Sequence, residues 1–511
     1  MLAALDPPPT SATDRGGPAG LPHPPVVAHA SVTPTAAQID RVTSLAAELL
    51  RDHPQLALER AYEACRVRTI TPGPALHLDD LSEIGIVGQR PDARFLQERA
   101  RLRAGDGDFV AASFVSEPAY ARYCRDRLAL GDPTWLLPAA ATDDARLAAA
   151  CWWDRPVRAA LLAAARVGAL RWIHPHYGGR AVWDLAMLLH RRGGVALGVI
   201  APPPGLTEWV NDKVSFAETV TRLLGPGATP RIEETTSVAW LSRRIRDLAE
   251  RTEWIVIKVP DSAGAYGTVV LDTRRYRGRD LGAIRADVLP IVTEALGGAD
   301  LPRLLIRGWE TAVVASPSAQ LWIPPPADGP PVVEGVFLQT LAGHAAKFEG
   351  ARPGRLPASV ESAFVEDSWL LGLLFQQLGY VGRCSFDAIV TVVGGHPRLV
   401  FVECNGRWGG TSGPMSLLNR LFGDWARRPF AVRTCWAPGL TDCRFRDVLA
   451  HLGDELFDAR TGRGSLILLG PGRTRLTGKL NVIALAETPE DADRYLREDV
   501  TPRLRRFAAH D

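Results

Sequence analysis

The sequence predicts an α/β chain that continues into an α+β region. Three observations carry this. Between about residues 106 and 205, short apolar runs alternate with stretches of helical periodicity, as in a parallel sheet with covering helices. After about residue 206 the apolar runs come in hairpin pairs with occasional helices. At 511 residues the chain is too long for one core, and roughly two to four domains are expected.

Composition narrows the function. Lys plus Arg is 59 and Asp plus Glu is 57, a formal charge of +2. No basic run with interleaved aromatics appears, so no nucleic-acid partner is expected. The seven cysteines are scattered without a CxxC pair, which fits a reducing cytosol better than a disulfide framework or a zinc site. The best apolar stretch, "AALLAAARVGALRWIH", is broken by Arg166 and Arg171, so no membrane span is expected. The start, "MLAALDPPPTSATDRGG", lacks a basic n-region and an unbroken apolar run, and does not read as a signal peptide. A cytoplasmic location is expected.

The elements follow in order. Residues 1 to about 36 are rich in Pro, Ala and Thr and are expected to be a disordered tail. Residues 37 to about 105 read as helical, as in "AAQIDRVTSLAAELL", without a legible role. Then "FVAASF", "TWLLP", "ALRWIHP" and "ALGVIAP" predict strands, and "RPVRAALLAAARVG" and "AVWDLAMLLHRR" predict helices. No GxGxxG fingerprint accompanies them, so they are not read as a dinucleotide site. His174 and His176, in "IHPHYGG", end one of these strands and are read as structural, with a binding role as the alternative. The last part of the chain mixes helix with "SLILLG" and "LNVIALA".

The chemistry concentrates in one hairpin. The strand "RCSFDAIVTVV", residues 383 to 393, is followed by "GGHPR" and then "RLVFVECNGRWGG". Period-2 alternation places Ser385, Asp387 and Ile389 on one face, and Glu403 and Asn405 on one face of the returning strand. A turn centred near Gly395 sets Asp387 opposite Glu403. Two facing carboxylates repel. A divalent cation removes that repulsion, and Asp, Glu and an Asn carbonyl are hard oxygen ligands suited to magnesium. Magnesium completes its shell with water and substrate phosphates, so a nucleotide is implied. The alternative is a solvated hairpin face with incidental charges. Cys384 and Cys404 fall on the opposite face and read as small core residues.

Upstream lie partners for such a nucleotide. "WIVIKV" is a buried strand with a single lysine, Lys258, whose burial is costly unless its charge is used. The loop "DSAGAYG" carries Gly264 and Gly267 and leads to the strand "TVVLD". Such a flap can cover phosphates with its backbone N–H groups, although a plain hairpin has the same pattern. Lys213, in "EWVNDKVSF", stands at a helix start, where alone it would read as a surface lysine.

In this order, Lys213 in "NDKVSF", Lys258 in "IVIKV", a glycine-containing flap, "FDAIV" and "VECNGR" resemble the ATP-grasp superfamily of carboxylate–amine ligases. The resemblance spans roughly residues 106 to 511. It implies an ATP-grasp fold behind a preceding α/β domain. Its divisions are a tail over 1–36, a helical region over 37–105, and a pre-ATP-grasp domain over 106–205. A nucleotide-binding core over 206–420 and a C-terminal part over 421–511 complete them. It implies ATP and magnesium as cofactors, with Lys213, Lys258, Gly264 and Gly267 around the nucleotide. Glu310, in the hinge-like "LLIRGWE", becomes a candidate for the ribose hydroxyls. Asp387, Glu403 and Asn405 match the metal ligands. Arg407 matches the arginine of E-x-N-x-R, which steadies the transferred phosphoryl group or a substrate carboxylate. "SPSAQLWIPP", "FLQTL" and "FEGARPG" are further similar to the pheganomycin-type peptide ligases of actinomycetes. The implied activity joins a small-molecule acid to an amine, such as an amino acid or peptide, in natural-product biosynthesis, with a homodimer as the expected assembly. A kinase on the same fold and a non-catalytic nucleotide-binding relative are the alternatives. One departure stands out: Ala263 and Ala265 flank Gly264 where the family commonly has a Gly-Gly pair.

Overall fold

The first sheet comes from the alternating region. In a computed structural model, which describes residues 20–88, 90, 92–139, 146–262, 266–296, 303–310, 312–343 and 346–508, it holds β1 (Ala75–Leu78), β2 (Phe109–Ala111), β3 (Thr134–Leu136), β4 (Trp172–Pro175) and β5 (Gly198–Val199). The strands are all parallel, in the order β3-β2-β1-β4-β5. Helices Arg155–Arg166 and Arg180–Gly193 pack their apolar stripes on the sheet. Asp154 caps the first by accepting from the Val157 N–H. Gly194 ends the second at φ 71°, a conformation that needs no Cβ. The central strand β1 lies within the region expected to be helical. "ALHL" is a fully buried four-residue run, and periodicity cannot tell so short a run from helix. Strand order turns back between β1 and β4, so a crevice opens beyond their carboxyl ends.

The second sheet is small and antiparallel. It comprises β6 (Glu233–Thr235), β7 (Trp254–Lys258), β8 (Thr268–Asp272) and β9 (Leu304–Gly308), in the order β6-β9-β7-β8. Helices Val238–Ala249 and Leu281–Leu296 bury Leu241, Ile245 and Ile284 against Ile255, Ile257 and Ile306. Lys258, on β7, pairs in register with Thr268.

The third sheet spans the rest: β10 (Val313–Ala315), β11 (Pro317–Ile323), β12 (Val332–Ala342), β13 (Lys347–Pro353), β14 (Gly382–Val393), β15 (His396–Asn405), β16 (Phe430–Trp436), β17 (Leu466–Leu469) and β18 (Lys479–Leu485). β10 and β11 pair with successive stretches of β14, and the order runs on through β12, β13, β16, β18 and β17. β15 pairs β14. Helix Ala358–Gln377 covers one face with Phe364, Leu371 and Phe375. Helix Ala36–Asp52, fixed by a Thr35–Gln38 capping box, packs beside it through Val42, Leu45 and Leu49. The N-terminal helical region therefore serves two bodies.

Residues 20–35 correct the expectation of disorder for the part of the tail that is described. They carry no helix or strand, yet backbone and rings hold them. The His29 N–H donates to the Val333 carbonyl at 3.1 Å, and the His23 ring sits 4.3 Å from Trp322. Asn419 Nδ2 donates to the Pro25 carbonyl at 3.0 Å. Composition describes a segment that cannot fold alone; it does not exclude one that is received by a neighbour's groove.

Candidate active site

The hairpin register is the one the sequence predicts: Asp387 faces Glu403 across the β14–β15 ladder, with Ser385 opposite Asn405. The turn falls at Gly394 and Gly395, both with positive φ. Cys384 and Cys404 lie on the core side, sulfurs 3.6 Å apart. Asp387 accepts from Ser318 Oγ at 2.5 Å and from Asn405 Nδ2 at 2.9 Å. Asn405 Oδ1 accepts from Arg407 at 2.6 Å. Arg407 also donates to Asn211 Oδ1, which takes the Gly406 N–H at 3.1 Å as well. "EWVNDK" thus supplies a second functional side chain beside Lys213, unread from the sequence because a buried amide at a helix end carries no pattern.

Lys213 opens helix Lys213–Leu224, capped by Asp212. Its Nζ lies 3.3 Å from Glu403 and donates to the Ser262 carbonyl at 2.6 Å. It therefore ties the β14–β15 hairpin to the loop after β7. Lys258 lies 5.8 Å from the Trp309 ring, which Arg307 also approaches at 5.9 Å. These groups are buried together, and their proton affinities shift accordingly. Burial, then Arg307, takes Lys258 down to about 7 against the pull of Glu403. Burial and the charge of Glu403 raise Asp387 to about 6. Burial alone would also raise Glu403, but Lys213, Lys258 and Arg407 outweigh it and hold that carboxyl low. The pair thus shares one negative charge too many for its surroundings. That imbalance fits a divalent cation, which restores both carboxylates. Among the described residues no three His, Cys, Asp or Glu side chains converge into a self-sufficient metal site. The fit is therefore two carboxylates aided by the Asn405 amide, with room for water and phosphate oxygens.

These side chains share one cavity of about 690 Å³, lined by strands of the second and third sheets and by residues that follow β1 and β4 of the first. Glu310 is exposed but lines it beside Trp309. Ser262 and Tyr266, described residues of the flap, line it. Val259 N–H donates to the Gly267 carbonyl at 3.0 Å. Gly267 has φ +67°, and a Cβ there would meet Ile86 Cδ1 at 2.6 Å. Tyr266 lies under the Arg90 guanidinium at 4.1 Å. The flap thus rests on the first domain. Gly264 lies outside the described residues. Arg99 and Arg473, which no sequence signal singled out, line the same cavity, as does His176, for which a binding role was the alternative reading. His176 Nδ1 is buried without a hydrogen bond, 3.8 Å from the Asp79 carboxylate; His174 Nδ1 meets the Pro22 carbonyl at 2.9 Å while its Nε2 is buried without a hydrogen bond. One sequence signal was available. Lysine occurs at only four positions, 213, 258, 347 and 479, among 59 Lys and Arg, and two of the four line this cavity.

No family model and no curated protein matches the sequence. Solved structures match in fold. The ADP complex of an N5-carboxyaminoimidazole ribonucleotide synthetase matches with a TM-score of 0.52 at 13% identity, over 84% of this chain and 97% of that one. The fold is ATP-grasp. The ADP complex of the Staphylococcus aureus N5-carboxyaminoimidazole synthetase has a TM-score of 0.48 at 9% identity, over 86% and 99% of the two chains. The biotin carboxylase domain of Hydrogenobacter thermophilus 2-oxoglutarate carboxylase, solved with MgADP, has 0.48 at 13% identity, over 83% and 88%.

Proposed function

We propose that this chain is an ATP-dependent carboxylate–amine ligase that forms an amide with release of ADP and phosphate. One observation carries the reading: Asp387 and Glu403 face each other beside Asn405, Arg407 and two lysines in a single cavity. Lys213 and Lys258 take the phosphates of ATP, Gly264 and Gly267 belong to the flap over them, and Glu310 takes the ribose hydroxyls. Asp387, Glu403 and Asn405 would hold magnesium, which would supply positive charge to the phosphates. Among the described residues no helix is long and apolar enough to cross a membrane.

A carboxylate resists amines because its leaving oxygen is a strong base. Transfer of the γ-phosphoryl group to a carboxylate oxygen gives an acylphosphate and ADP. The amine then attacks the acyl carbon, the C–O bond to phosphate breaks, and the amine gives up a proton. Arg407 has its guanidinium fixed by two amide oxygens, which leaves its charge available to the transferred group. Lys258 and Lys213 add charge where phosphate negative charge gathers. The flap resting on Ile86 and Arg90 keeps water from the acylphosphate. Small residues Gly409 and Gly410 leave room beside Arg407 for the acid. We assign the acid and amine to amino-acid or peptide building blocks of specialised metabolism, as the likeness to the pheganomycin-type ligases implies. A mass-spectrometric screen of acid and amine pairs with MgATP tests this, the expected product being lighter than the pair by one water. Release of AMP with any pair would overturn it.

A further inference from the structure

The wall of the cavity away from the hairpin carries more positive charge than the nucleotide chemistry uses. Arg90, Arg99, Arg103 and Arg473 share two carboxylates. Asp79 is taken by Arg103 and stands 4.0 Å from Arg99. Asp92 lies between Arg90 at 3.0 Å and Arg473 at 2.5 Å. Arg99 and Arg473 line the cavity, and Arg99 Nη2 is buried without a hydrogen bond. Burial brings the Arg99 guanidinium down to about 10, with Asp79 opposing and Arg103, Arg473 and Arg407 adding to the fall. It stays charged at neutral pH. Burial, then the Lys347 ammonium, brings Lys479 down to about 8, with Arg473 and Arg90 adding to the fall.

The place is suited to a ligand. Arg99 follows β1 in sequence, and His176 follows β4 directly. They flank the crevice where the strand order turns back, the usual ligand position in a parallel sheet. We infer that this recess receives an acid carrying a second anionic group, carboxylate or phosphate, remote from the carboxyl that is activated. Arg99 and Arg473 hold that group. Forked guanidinium donors match both kinds of anion. Assigning the ligand as the acid substrate rests on the ligase reading; the recess itself does not. A site built to pair a charged group rejects the analogue that lacks it.

The test uses the full chain. Succinate, 3-phosphonopropionate and butyrate are titrated by calorimetry in parallel. Succinate or 3-phosphonopropionate is expected to bind at least about tenfold more tightly than butyrate, and whichever is preferred identifies the carboxylate or the phosphate as the recognised group. Arg99→Met is expected to erase that preference while the melting shift given by MgADP stays unchanged. Arg473→Met is expected to reduce the preference by about threefold and serves if the Arg99 variant does not fold. Equal binding of all three acids, or a preference unchanged in both variants, overturns the proposal. A dianion preference without ADP release from ATP and hydroxylamine leaves the recess standing and removes the ligase reading. Hydroxamate formed equally well from butyrate and succinate does the reverse.

Discussion

Lys258→Met keeps the length of the side chain and removes its charge. Burial, with Arg307 second, moves this ammonium from the ordinary 10.5 to about 7 in the folded chain. The unfolded chain therefore holds the proton up to higher pH than the folded one. Across the window from about 7 to 10.5, unfolding takes up a proton, so stability rises with pH there, and the whole cost is present below about 7. Each pH unit is worth about 1.4 kcal/mol per proton, which sets a ceiling of about 5 kcal/mol for the full window. Water entering the cavity screens part of this, and a gain of about 2–3 kcal/mol is expected for the nucleotide-free variant at pH 7. That advantage should shrink by about 1.4 kcal/mol per pH unit as the solution is made alkaline. Nucleotide reverses the ranking. At a hundredfold excess over the dissociation constant MgATP stabilises the parent by about 2.7 kcal/mol, and the variant should gain little. Urea denaturation at several pH values, with and without MgATP, measures both effects. A variant less stable than the parent by a pH-independent amount, and stabilised as strongly by MgATP, would refute the reasoning and leave Lys258 a structural residue.

Glu403→Gln removes the ion pair with Lys213 at 3.3 Å but also the repulsion of Asp387; melting should change little while ATP turnover falls by about 10²–10³-fold or more, as a coupled ADP assay would show. Magnesium must compete with the proton that Asp387 takes up below about 6; calorimetric magnesium affinity should fall by about tenfold per pH unit below that point and be flat above it. Gly267→Ala meets Ile86 at 2.6 Å in a left-handed conformation; it should cost about 1–3 kcal/mol, expose the flap to limited proteolysis, and lower kcat more than ADP affinity.

How much was legible in the sequence depended on whether a side chain's meaning is local. The hairpin gave up its register because period 2 and a Gly-Gly turn fix which residues oppose, and Asp387 does face Glu403. The strands "TVVLD" and "WIVIK" and the two helices of the first domain were clear for the same reason: their apolar period is strong. β1 was lost because four buried residues carry no period. Arg99 and Arg473 were lost because they stand far apart in the chain and meet only across a domain junction. Arginine is abundant here, so neither one looks unusual. Asn211 illustrates the same limit: its value lies in the Gly406 and Arg407 donors it receives from a strand 195 residues away. The packed segment 20–35 was misread because its order is supplied by Trp322, Val333 and Asn419 rather than by its own composition.

The central claim is that the carboxylate is activated by the γ-phosphoryl group of ATP in the cavity of Asp387, Glu403 and Arg407. It is tested most directly by following an oxygen atom. The acid found in the substrate screen is prepared with ¹⁸O in its carboxyl group and turned over with MgATP and its amine. An acylphosphate intermediate transfers one carboxyl oxygen to the released orthophosphate, so the account predicts labelled phosphate, unlabelled ADP and no AMP. Label appearing in AMP would mean attack at the α-phosphorus and contradict the account. Phosphate retained on a stable product, with no dependence on the amine, would make the chain a kinase.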